Sequence, residues 1–455
     1  MQNRESGKSI YFIAGVMTAV QLLSASSGSS LLALISYAFL PIGLLKPESL
    51  IPTYFIASLS STYFVAAQGV GFTRLIALAI IAGVVIRLFV SEAPIKSKWL
   101  ANCAIIAGVT FISFLFAYNS DISPIYVMGL NILVFIAMMH LSLNKDEVTA
   151  LFRAILLAVF ITTIYYTISF TINPYILQHG RLTIAEGINE NRFGMMLAQL
   201  SAYALAYMFF TKKNLVKAVC LALGVINAYF ILLSGSRSAL IGITLGFVLA
   251  VLISGYVQQK FTKWAFGMII LCLAVGTVFY SVIESNPVLA SRMNMDALVS
   301  SGGTGRWTKV LLEIQYIIPN HLSFGVGPSA VNETIVLAQY TGAPSSSHNF
   351  IISALTQVGI IGFVAYMGFY WKIIQDAVFN LRTHKILIIP LMLILTAVFN
   401  GIGEVIYSER LFWNALSLAA LCLNIYSNEN IMNEERIADS NSIQAAERLH
   451  INGKI

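Results

Sequence analysis

Three stretches of this chain, Val219–Leu233, Leu240–Ser254 and Ala265–Val282, contain no charged side chain. That feature constrains the fold most. Helices of about 20 apolar residues are what a hydrocarbon layer of roughly 30 Å demands. In lipid the backbone must satisfy its own hydrogen bonds, so runs of this kind predict membrane-spanning helices and an all-α polytopic membrane protein. Composition agrees: 10% of residues are charged, against about 25% in soluble domains, so the chain lacks the polar surface to face water.

Run length and polar punctuation predict about fourteen spans, near 9–23, 30–45, 51–67, 73–90, 99–117, 124–142, 149–172, 191–210, 214–233, 238–256, 263–283, 348–371, 386–403 and 409–426. Two interruptions stand out, a loop at 173–190 and a longer one from Glu284 to Ser347. The expected organisation is five parts: N-terminal spans in 1–172, central spans with arginine-bearing outer loops in 173–283, a large loop at 284–347, C-terminal spans in 348–426, and a polar tail at 427–455. The first span lacks a following A-x-A cleavage pattern, so it is expected to be a retained helix. Cys103, Cys220, Cys272 and Cys422 fall in separate apolar runs without metal-ligand spacing and are expected to be small buried side chains.

Lysine-rich loops alternate along the chain, at Lys46, Lys96 with Lys98, Lys145, Lys212–Lys217, Lys260 with Lys263, and Lys372–Lys385. Setting these and both termini in the cytoplasm leaves Arg74, Arg181, Arg192, Arg237, Arg292, Arg306, Lys309 and Arg410 outside. Seven of those eight are arginine, whereas lysine predominates inside. Topology needs only positive charge, so it does not account for the choice. Guanidinium makes two-pronged hydrogen bonds to phosphate and stays ionised when partly desolvated. Pairing with outer acids such as Asp121, Glu186 or Glu404 is the plain alternative for any single arginine; for the group, an anionic ligand at the outer surface explains more.

Four constellations carry candidate chemistry. Ser234-Gly235-Ser236-Arg237-Ser238-Ala239 joins two apolar runs by a tight turn, with Ser236 or Ser238 able to cap the next helix and its free N–H groups beside Arg237 forming an anion site. An ordinary capped hairpin with a snorkelling arginine is the structural alternative. Arg181, Asn191 and Arg192 lie within a dozen residues at another outer helix start, where Glu186 and Glu190 could neutralise the arginines. Ser301–Trp307 is glycine-rich but lacks the Gly-Lys-Ser/Thr ending of a nucleotide-binding loop; from Arg306, an apolar stripe of Trp307, Val310, Leu311, Ile314 and Ile318 predicts a helix capped by Thr304 and closed by Pro319. Ser345–Ser347 are expected to cap a helix whose first turn holds His348, where the dipole favours a neutral, proton-accepting imidazole. Gly359 and Gly362 suggest a small-residue packing face farther along.

Together these segments resemble the O-antigen ligase and polymerase superfamily, the Wzy-C family. The resemblance rests on Arg181 with Asn191, Ser-Gly-Ser-Arg-Ser-Ala at 234–239, Gly305-Arg306-Trp307, Gly325-Val326-Gly327, and His348-Asn349 followed by Gly359 and Gly362. It spans roughly 180–370. It implies a GT-C-like helical bundle with one large periplasmic loop and metal-independent transfer of a glycan from undecaprenyl diphosphate in the bacterial inner membrane, without a cofactor. Arg181, Arg237 and Arg306 would bind the diphosphate, His348 would be the general base, and Asn191, Arg192, Ser236 and Asn349 would contribute to substrate binding. The expected partners are the lipid-linked glycan, membrane lipids, a glycan or lipid A–core acceptor and a chain-length regulator protein, with no nucleic acid. Within the family, the span count and the acidic balance of the 284–347 loop point to a polymerase, with a ligase as the alternative. A transporter of lipid-linked oligosaccharide is the remoter alternative, since charges gather at outer ends rather than at the midplane.

Overall fold

The computed structural model describes residues 2–59, 71–91, 95–172, 177–178, 181–184, 188–259, 306–342, 346–405 and 407–425, with scattered positions between 261 and 291. These residues form an all-α polytopic bundle with one small ribbon, Leu177–Gln178 paired antiparallel with Arg181–Leu182. Eight described helices are long and apolar enough to cross a membrane, among them Phe72–Ser91, Lys145–Ile172, Glu190–Phe210, Asn214–Ser234, Arg237–Val257 and Phe350–Asn380. Four apolar helices are shorter. The expectation of about fourteen spans is therefore not reached among the described residues: Pro41 splits the second run into Ser30–Ala38 and Ile42–Leu45, and the run at 263–283 and the tail lie almost wholly outside them.

The core centres on the Glu190–Phe210 helix, which packs against Asn214–Ser234, Arg237–Val257 and Ile388–Asn400. Tyr203, Leu391, Leu393 and Leu416 are wholly buried there. Lipid tails are as apolar as leucine, so association relies on close packing and polar ties between helices. Gln199 donates to the Leu393 carbonyl at 3.2 Å, Ser201 to the Gly224 carbonyl at 2.9 Å, and Asn227 to the Thr163 hydroxyl at 2.9 Å. Cys103, Cys220 and Cys422 are buried, as their apolar runs imply; Cys272 lies outside the described residues.

The Phe350–Asn380 helix is broken. Gly359 holds φ 66° and ψ −176°, a conformation closed to other residues, instead of forming the expected packing face with Gly362. The chain at Leu322–Gly327 lies across the break and satisfies the groups that the break releases. Ile360 N–H donates to the Leu322 carbonyl at 2.7 Å, while Val326 and Gly327 N–H groups donate to the Thr356 and Gln357 carbonyls at 2.9 and 3.0 Å. Non-helical backbone inside an apolar bundle needs such a protein partner. Gly325 and Gly359 permit it, since a Cβ on either would lie about 2.4 Å from the other strand's backbone.

The segment before the break also departs from expectation. The helix starting at Arg306 passes into a π-helical stretch, Glu313–Ile317, and ends at Asn320. The extra residue per turn shifts the phase of the side chains. Val310, Glu313 and Ile317 face inward, while Trp307, Leu311 and Ile314 are exposed. The predicted stripe is thus split between two faces. Thr304 and Gly305 lie outside the described residues.

Candidate functional site

Polar residues gather at one end of the bundle, where the helix starts at 190, 237 and 350 meet the helix ends at 234 and 400. The first cluster is built on the turn between Ser234 and Arg237. Gly235, at φ 60°, closes one helix, and Ser236 accepts the Ala239 N–H at 3.4 Å to cap the next, whose first residue is the half-buried Arg237. Gly194 lets the Glu190–Phe210 helix approach this turn: a Cβ there would meet Ser236 Cβ at 2.5 Å.

Arg181 is fully engaged in this cluster. Its Nε donates to the Ser234 carbonyl at 2.7 Å, one terminal nitrogen pairs with Glu190 Oε2 at 3.1 Å, and the other donates to Asn191 Oδ1 at 2.7 Å. Arg181 and Glu190 side chains are 10% and 12% exposed, so the charge is neutralised out of water. A guanidinium committed on three sides to protein acceptors ties the ribbon to two helices, a role beside the diphosphate binding expected of Arg181. Asn191 serves the same tie, and Ser236 is occupied as a cap. Arg192 reaches Glu409 at 3.4 Å, an exposed pair. Glu190 is the neutralising acid that the sequence offered as the alternative; Glu186 lies outside the described residues.

The second cluster is organised by a turn that sequence analysis did not single out, Gly401–Glu404. The Gly401 carbonyl accepts the Phe350 N–H at 2.8 Å, and the Gly403 carbonyl accepts from Arg306 at 3.0 Å. Glu404 Oε2 lies 3.3 Å from His348 Nδ1, with the carboxylate buried and the imidazole 40% exposed. Among the described residues no carboxylate lies within ion-pair distance of Arg306. The two clusters touch: a Cβ on Gly403 would stand 2.8 Å from Ser238 Cβ and 3.0 Å from the Arg306 guanidinium, and Ser238 Oγ is 3.4 Å from Ser236 Oγ.

His348 differs from expectation in one respect. It precedes the helix rather than entering its first turn, because Asn349 is the cap and accepts the Ile351 and Ile352 N–H groups at 3.1 and 3.2 Å. Asn349 thus spends its Oδ1 on the cap, and its amide nitrogen is the group left for the substrate contact expected of it. His348 itself adopts φ 52°, a left-handed conformation unusual for a residue with a side chain. What orients the imidazole is then a carboxylate and not a helix dipole. An ionised Glu404 accepts only, so Nδ1 is the nitrogen that donates to it and Nε2 is the ring nitrogen left for a second partner.

Residues 218–367 match the family model Wzy_C, O-antigen ligase. Over that stretch the match supports the O-antigen ligase/polymerase superfamily. Members are glycosyltransferase-like enzymes, and the multi-pass bundle agrees with that type of function. The match takes in the Ser234–Ala239 turn, Arg306, His348 and the break at Gly359, and stops short of Arg181 and of Glu404. Comparison with curated proteins returns no match. The sequence offered Glu404 only as an arginine partner, because an acid just past the last glycine of an apolar run does not reveal that it meets an imidazole 56 residues away.

Proposed function

We propose that this protein transfers a glycan from undecaprenyl diphosphate to an acceptor hydroxyl at the periplasmic face of the inner membrane, as a polymerase of O-antigen or a related surface polysaccharide. One observation carries the proposal: buried Glu404, which orients the half-exposed His348, shares a four-residue turn with the Gly403 carbonyl that holds Arg306.

The chemistry follows from the groups present. The acceptor hydroxyl oxygen attacks the anomeric carbon while its proton passes to His348 Nε2. The bond from that carbon to the diphosphate oxygen breaks, and undecaprenyl diphosphate leaves with the bonding pair. Negative charge on the leaving oxygens grows through the transition state, where fixed guanidiniums from Arg306 and Arg237 stabilise it most. Glu404 stabilises the imidazolium as it forms. These residues supply cationic stabilisation without a metal. Arg181 and Asn191 hold the Ser234–Ser238 turn in place. Beside that turn, an apolar cavity of about 570 Å³ lined by Phe170, Val225, Ile226, Phe230 and Leu233 suits an isoprenoid chain. The fuller span count, a GT-C-like bundle, cytoplasmic termini and a chain-length regulator partner belong to the same proposal.

A ligase is the second reading, favoured by the match of residues 218–367 to the O-antigen ligase family model. Deleting the gene and running a glycan gel separates the two. A single repeat on lipid A–core marks a polymerase; bare core with accumulating lipid-linked polymer marks a ligase; an unchanged glycan pattern rejects both.

A further inference from the structure

Two acids unused by the transfer chemistry, Glu313 and Glu333, are wholly buried where the 306–342 segment crosses the broken helix. Glu333 Oε1 accepts the Ser347 N–H at 2.9 Å and the Ser347 hydroxyl at 3.3 Å, and its Oε2 accepts from Gln357 at 2.7 Å. Glu313 Oε2 accepts the Thr356 hydroxyl at 2.8 Å, while its Oε1 is buried with no hydrogen-bond donor among the described residues. The groups facing the pair are therefore Ser347, Thr356, Gln357 and, behind Gln357, the Tyr407 hydroxyl at 2.7 Å. Burial above all pushes the Tyr407 phenol well above its usual range, so it remains a donor. Among the described residues no cation lies within ion-pair distance of either carboxylate.

Three donors converge on Glu333, the arrangement that solvates a carboxylate charge. Glu313 Oε1 accepts no hydrogen bond among the described residues, and with a proton of its own Glu313 can donate to the neighbouring Glu333 carboxylate. Two adjacent buried carboxylates without a cation do not both ionise near neutral pH. Burial, and then the neighbouring Glu333 charge, push the Glu313 carboxyl up to about 8. The π-helical stretch that begins at Glu313 is what turns this acid inward.

We infer that Glu313 and Glu333 hold one proton between them and that the protonated pair positions His348 by anchoring Ser347. The inference rests on the base assignment made above. Ser347 is fixed through both its N–H and its hydroxyl, and Phe350 N–H is fixed on Gly401. Between these anchors His348 is held at φ 52° against its intrinsic preference. When the proton leaves, two like charges face each other without a counter-ion. Separating them moves Glu333, and Ser347 is released.

The direction of the pH effect follows from proton binding. Glu313 binds its proton more tightly folded than unfolded, where its ordinary value is 4.5. The stabilisation is whole below that value and is lost as pH rises toward about 8.

The test uses the full-length protein in liposomes with lipid-diphosphate-linked repeat units as donor. Wild type is expected to lose about tenfold in turnover one pH unit above the pKa of the pair. E313Q, whose amide gives Glu333 a permanent donor, keeps its turnover there, and its unfolding temperature stops falling with pH. E333A loses turnover with little change in donor KM and exchanges amide hydrogens faster across 346–349. In wild type the same stretch loses protection, beyond the intrinsic rate change, between about pH 6 and about pH 9. Superimposable alkaline limbs for wild type and E313Q, or unaltered protection across 346–349, overturn the inference. Unfolding and exchange need no substrate. If both respond as stated while His348→Ala transfers glycan normally, the base assignment falls and the shared proton stands.

Discussion

Arg181 and Arg306 stand at the same end of the bundle, one on the Ser234 carbonyl and the other on a carbonyl that packs on Ser238, yet their surroundings are opposite. Arg181 is enclosed by Glu190, Asn191 and the Ser234 carbonyl, with its charge neutralised away from water. Arg306 donates to the Gly403 carbonyl, with no carboxylate within ion-pair distance among the described residues, and so retains its net charge beside Ser238 and one residue from Glu404. A cation paired with a buried acid has little field left for a ligand, whereas one held by a neutral carbonyl is oriented and still attractive to an anion. The first arrangement suits a scaffold and the second suits the anion site proposed above.

Substitutions can sharpen or break that contrast. The largest effect is expected at His348→Ala: turnover falls by about 10²–10⁴, the usual contribution of a general base, while donor binding persists. An unimpaired rate would remove the base assignment. Next is Arg181→Met, which strands Glu190 in a buried position and costs about 3 kcal/mol of stability, read as a lower unfolding temperature and poor yield. If Arg181→Met is as stable as wild type but inactive, the scaffold role fails and the contrast with it. Arg306→Lys is expected to lose transfer about 10²-fold with unfolding temperature unchanged, since a point charge replaces a planar fork. Glu404→Gln follows, slowing turnover about tenfold or more through a misoriented imidazole. Arg192→Ala comes last, with stability within about 0.5 kcal/mol, because its pair with Glu409 is exposed and screened.

The positions of helices were largely legible before folding. Boundaries such as 191–210, 214–233 and 238–256 differ by one residue or so from Glu190–Phe210, Asn214–Ser234 and Arg237–Val257, because lipid fixes both length and polarity of a span. The Ser236 cap was legible too, as one of the two serines that follow the turn glycine. The identity of the 350–380 cap was not: Ser345–Ser347 and Asn349 are all competent, and Ser347 is drawn away by Glu333 from the far end of the preceding segment. Gly359 was equally ambiguous. A glycine in an apolar run reads as close packing until the strand that crosses it is known.

Apolar run length and the lysine–arginine asymmetry by themselves determined that this chain is a helical membrane protein with guanidiniums at one set of helix ends. Both are properties of composition along the chain, and the bilayer acts on them locally. Only the tertiary structure decided which guanidinium is neutralised and which is kept, that Glu404 turns the imidazole, and that Glu313 lies against Glu333. Those outcomes depend on distances between residues 9 to 97 positions apart in sequence, which local pattern does not encode.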